Sequence, residues 1–81
     1  MTKNKFDIIQ ELWRESCVLV DHEYFIEAIP KLQQCLGMLE MLDEPEAKGR
    51  VMFELGCCFL SLSWYNEAVQ IYSEYLKDFP F

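Results

Sequence analysis

The sequence predicts an all-α protein, four helices folded as two antiparallel hairpins within a single domain of 81 residues. Two observations carry that expectation. Apolar residues recur at helical spacing through four successive stretches, none of which reads better as a strand. The chain also repeats itself: Phe25-Ile26-Glu27-Ala28-Ile29 returns forty residues later as Tyr65-Asn66-Glu67-Ala68-Val69. Upstream, Leu12, Trp13, Ser16, Cys17, Leu19 and Val20 fall opposite Met52, Phe53, Gly56, Cys57, Phe59 and Leu60. Downstream, Leu32 and Leu36 fall opposite Tyr72 and Leu76. An internal period of this length marks stacked supersecondary units that cannot bury their apolar faces alone.

The first helix is expected from Phe6 to about Asp21. Ile8, Ile9, Leu12, Trp13, Cys17, Leu19 and Val20 share its apolar side, and Asp7, Glu11, Arg14 and Glu15 occupy the rest. Asn4 is the candidate N-cap. The second helix is expected from about Tyr24 to Leu42 on Phe25, Ile26, Ala28, Ile29, Leu32, Cys35, Leu36, Leu39 and Leu42. Pro30 falls near its start, where proline deletes a backbone hydrogen bond and crowds the carbonyl four residues back. Either the helix kinks at Pro30 or its regular part begins near Ile29.

Asp43-Glu44-Pro45 punctuates the chain. Asp43 or Glu44 is expected to cap a third helix, and proline belongs in its first turn. That helix should run from Pro45 to about Leu62, with Ala47, Val51, Met52, Leu55, Phe59 and Leu62 on one side. Gly49 and Gly56 lie inside it, each costing ~1 kcal/mol against alanine. Gly56 therefore calls for a packing reason, close approach of a neighbouring helix. Ser63 is the candidate cap of a fourth helix, Tyr65 to about Asp78, stopped by Pro80.

Charge narrows the function classes. Fourteen acidic against seven basic residues leave a net charge of −7, and the lysines and arginines are scattered. A nucleic-acid backbone or an anionic membrane would be repelled, so neither is expected as a partner. The acidic balance suits a basic or apolar protein partner. The apolar run containing Gly56 to Leu60 is far short of the ~20 residues of a membrane span, and the polar start resembles no signal peptide. No membrane insertion is expected, and a cytoplasmic location follows by default.

Cys17, Cys35, Cys57 and Cys58 form no C-x-x-C pair, and the single His22 adds no second nitrogen at zinc-site spacing. An even count is compatible with disulfides, which need a secretory context; the reading preferred here is buried, reduced thiols. No cofactor is expected. Glu11 with Glu15, or Asp21 with Glu23, could pair as acid and base, but solvated helix faces look the same. No glycine-rich phosphate loop is present, and the chain is not expected to be an enzyme.

The second unit resembles a tetratricopeptide repeat in Met52, Leu55, Gly56, Phe59, Tyr65, Ala68, Tyr72, Tyr75 and Pro80. Leu12, Ser16, Leu19, Phe25, Ala28 and Leu32 give the first unit a looser likeness. Glu15 stands where the family has a large apolar residue, and Glu23 replaces the turn glycine. The spacing also exceeds the family's usual repeat of about thirty-four residues, so the second helix should overrun by more than a turn. The resemblance divides the chain into unit one, about 6–42, and unit two, about 45–79.

The resemblance implies that the first helix of each unit lines a groove for an extended peptide or a partner helix. Carried onto this sequence, the groove residues are Trp13, Cys17 and Val20 with Phe53, Cys57 and Leu60. The alternative for Trp13 and Phe53 is plain core. A clamp for an acidic C-terminus is not expected, because Arg14 and Arg50 lack lysine and asparagine companions. An apolar groove suits a hydrophobic or amphipathic client, and small acidic proteins of this kind are similar to type III secretion chaperones. Tyr72, Tyr75, Leu76 and Phe79 form an expected exposed apolar end. That end supports an alternative of another class, a scaffold segment or homodimer without a client.

Overall fold

The computed structural model describes residues 3–78 and contains four helices. They are α1 (Lys5–Asp21), α2 (Phe25–Leu42), α3 (Pro45–Ser61) and α4 (Tyr65–Asp78). The fold is all-α, with no strand among the described residues. Short turns reverse the chain three times, and the main packing joins α1 to α2, α2 to α3 and α3 to α4. The result is a flat array measuring 42 × 30 × 16 Å, in which each helix leans on its neighbours in sequence. Pro80, expected to stop the last helix, lies outside the described residues.

The core is the shared side of all four helices. Leu32, Cys35 and Leu39 of α2 and Met52, Leu55 and Cys58 of α3 fill its centre, with Ile9 of α1 and Ile71 of α4 toward the ends. Ser16 is fully buried and stays hydrogen-bonded by donating from its Oγ to the Leu12 carbonyl at 2.7 Å. That local bond meets the requirement that a buried hydroxyl find an acceptor. Ala28 and Ala68, one per unit, are buried at equivalent positions.

The helix ends follow the sequence in some places and depart from it in others. Asn4 caps α1 as expected, its Oδ1 accepting from the Asp7 amide at 2.9 Å. Pro45 opens α3, but no side chain caps that helix. Asp43 instead takes a left-handed conformation (φ 54°) and closes α2, and Glu44 contributes only its backbone. Pro30 sits inside α2, which begins five residues earlier at Phe25, so its missing bond falls in the helix body.

Ser63 does not cap α4. It adopts φ 61°, and Glu23, forty residues earlier, adopts φ 63°. The two turns are copies in their hydrogen bonds. Glu23 N donates to Val20 O at 2.9 Å and Tyr24 N to Leu19 O at 2.8 Å; Ser63 N donates to Leu60 O at 3.0 Å and Trp64 N to Phe59 O at 2.8 Å. This is the pattern that ends a helix on a left-handed residue, a place normally taken by glycine. The forty-residue period is therefore written in the backbone as well as in the side chains.

Lys48 ties three helices together at one edge. Its Nζ lies 3.2 Å from the Asp78 carboxylate on α4 and 3.8 Å from Glu40 on α2. Among the described residues, no helix is long and apolar enough to cross a membrane.

Candidate functional site

The six groove candidates divide into two sets by neighbourhood. Trp13, Cys17 and Val20 lie along α1 and are all half-buried; Trp13 and Cys17 have α3 beside them, and Val20 packs against the core. Trp13 forms one wall of a cleft of about 260 Å³ between these helices. Ile9 and Leu39 are beside it, Ala47 and Val51 stand opposite, and Gln10 and Arg50 supply polar groups. The cleft thus has apolar walls and a small polar complement, the usual build of a binding groove.

Cys17 is in the electrostatic field of Glu54 and Asp21. Burial first, then these carboxylates, push its thiol above the ordinary range, so it is neutral at physiological pH. Cys35 and Cys58 are fully buried, and burial pushes both up to about 11. All four cysteines are free thiols. Among the described residues, no three His, Cys, Asp or Glu side chains gather as metal ligands.

Phe53, Cys57 and Leu60 occupy the matching places on α3, but Phe53 and Cys57 find their neighbours on α4. The Phe53 ring meets Tyr72 edge-on at 6.0 Å and Tyr75 at 6.5 Å, between centroids. The Cys57 sulfur is 3.5 Å from the Tyr72 hydroxyl. Burial and this bond drive the Tyr72 phenol well above its ordinary range. Phe53 and Leu60 remain 52% and 46% exposed. In unit one α3 stands beside Trp13 and Cys17; among the described residues no helix follows unit two in the same way.

Tyr72 also explains Gly56. A methyl group on Gly56 would lie 2.5 Å from the ring's Cζ, so the glycine is the seat of an aromatic ring. The expected close approach of a neighbouring helix is thus made by the Tyr72 side chain. Of the expected apolar end, Leu76 is exposed, Tyr72 and Tyr75 are half-buried against Phe53, and Phe79 lies outside the described residues.

Sequence reasoning did not place Gln10, Leu39 or Ala47 at the cleft. Gln10 could have been suspected, because the period sets it opposite Arg50; Ala47 falls opposite Asp7 and could not. Leu39 could not, because it comes from the intervening helix. The chain matches no family model, no curated protein and no solved structure.

Proposed function

We propose that this chain is a protein-binding helical-repeat module that holds an amphipathic partner segment along the α1–α3 side. The observation that carries the reading is the cleft walled by Trp13, Ala47 and Val51. It is continuous in sequence with Cys17 and Val20 on α1, and an aromatic anchor in a partly desolvated groove is where binding energy concentrates. The carboxylates of Glu54 and Asp21 beside Cys17 favour a partner whose apolar stripe is flanked by lysine or arginine. A chaperone or adaptor role follows from such a grip, because covering a partner's apolar stripe keeps it from aggregating. A type III secretion chaperone is the narrower form of the same proposal, and it rests on the resemblance of the repeat.

The test uses a helical peptide with a leucine stripe and lysine flanks, titrated into the protein and followed by calorimetry. The same peptide with glutamate flanks, and a scrambled version, serve as controls. The lysine-flanked peptide is expected to bind best. Trp13→Ala should keep the helical circular-dichroism signal and weaken binding by about 2 kcal/mol or more. Equal binding by Trp13→Ala and the wild type, or no preference among the peptides, would sink the groove assignment.

A further inference from the structure

We propose that the outer side of α4 is a self-complementary seam that pairs two copies of this chain about a two-fold axis. Tyr65, Val69 and Leu76 are 62%, 65% and 57% exposed there, and Tyr72, whose ring is seated on Gly56 of α3, stays partly exposed between them. At the equivalent places in unit one, Ile29 is buried, and Phe25 and Leu36 pack against the core. In unit one, α3 lies against the helix that carries them. The same repeat positions are thus covered in α2 and bare in α4.

Three features of the molecule identify the occupant as a second copy. The stripe is spaced four, three and four residues, Tyr65, Val69, Tyr72, Leu76, the d-a-d-a pattern of a helix seam. That spacing reads the same in both directions. In an antiparallel pair Tyr65 meets the partner's Leu76 and Val69 meets the part of the partner's Tyr72 that α3 leaves uncovered, over roughly 16 Å of helix. Such a patch is what an isologous interface requires.

The second feature is charge. With a net charge of −7, two copies repel each other over most of their surface. Yet the positions flanking the stripe are Asn66, Ala68, Ser73 and Tyr75, with no Asp, Glu, Lys or Arg among them. The charged side chains of α4 line clefts shared with α2: Glu67 and Glu74 in one, Lys77 and Asp78 in another. The α4 flanks of the seam are therefore uncharged and can meet without like-charge contact between the two helices; the carboxylate whose field reaches the stripe is Glu54 of α3, beside Tyr72.

The third feature is the opposite end of the array. On α1, Glu11 and Glu15 stand at the repeat positions of Val51 and Leu55, and they pair with Lys3 and Lys31. Head-to-tail stacking would press these carboxylates onto Val69 and Leu76 and strip their water without a new partner. End-to-end growth is disfavoured, and closure by a two-fold axis remains.

Sedimentation equilibrium on the full chain, with circular dichroism on each variant, decides the matter. The wild type should show a concentration-dependent mass of twice 9.7 kDa and no larger species. Val69→Glu should raise the dissociation constant about a hundredfold or more at unchanged helicity. Leu76→Ser, close to the helix end, gives the same reading if Val69→Glu proves unstable. A wild type that stays monomeric to roughly 1 mM overturns the proposal, as does a dimer indifferent to both variants. Masses that grow with concentration overturn it in favour of head-to-tail stacking. A monomer that instead binds a foreign helix through Val69 overturns it in favour of another partner. Trp13 and Val69 are on different helices, so failure of the groove and failure of the seam are separate results.

Discussion

Gly56 and Tyr72 show how much one missing methyl group decides. The Tyr72 ring occupies the space a Cβ on Gly56 would need, and its hydroxyl then reaches the Cys57 sulfur. Gly56→Ala should cost about 1–3 kcal/mol by overpacking, despite the better helix propensity of alanine, and Gly56→Leu should cost more. Urea denaturation measures both, and pairing Gly56→Ala with Tyr72→Leu should recover part of the loss. A stabilised Gly56→Ala would mean that the ring moves aside freely. The need for a small residue at Gly56 was legible in the sequence, since a helix-interior glycine demands a reason. The identity of its neighbour was not, because periodicity places a residue on a face without saying which side chain crosses it. Trp13 and Phe53 carry the same lesson: matched in sequence, they differ in exposure because Trp13 faces α3 across a cleft, whereas among the described residues no helix stands opposite Phe53 in the same way.

At the level of elements, helix bounds were legible to within a residue or so because Asn4, Asp43, Pro45 and the apolar spacing each mark an end. Ser63 was misjudged because serine ahead of a helix looks like a cap, whereas the chain reversal there needs a left-handed residue. The signal that would have corrected it was the period itself, which sets Ser63 opposite Glu23, already standing in a turn-glycine position. Both residues hold positive φ with a Cβ, which glycine does at no steric cost. Glu23→Gly and Ser63→Gly should therefore each raise stability by about 0.5–1 kcal/mol, less the entropy glycine adds to the unfolded chain. Thermal melts of the two single variants and the double should show additive gains, since the turns are separate. A loss in either would mean that the native side chain makes a contact worth more than the strain.

On the scale of the whole molecule, the buried thiols give the fold an alkaline limit. Cys35 and Cys58 are pushed up to about 11 in the folded chain, above their ordinary value of 9.0. Between these values the unfolded chain has lost protons that the folded chain keeps. Stability is therefore fully present below pH 9 and falls as pH rises toward 11. Denaturation midpoints measured from pH 7 to 10.5 should be level at first and then decline, and Cys35→Ala with Cys58→Ala should flatten the decline while lowering the plateau. A midpoint indifferent to pH through this window would show that the thiols ionise in place.

The neighbour-only packing of the helices also sets how the molecule can come apart. α1 and α4 each have one main packing partner, whereas α2 and α3 each have two. Detaching α4 leaves the contacts among α1, α2 and α3 standing; displacing α2 or α3 cuts the array in two. Cooperativity thus resides in the inner pair, where Leu32, Cys35, Met52 and Cys58 are packed without access to water. The outer helices are free to fray on their own account, and the Lys48 link between α3 and Asp78 is a latch on that motion.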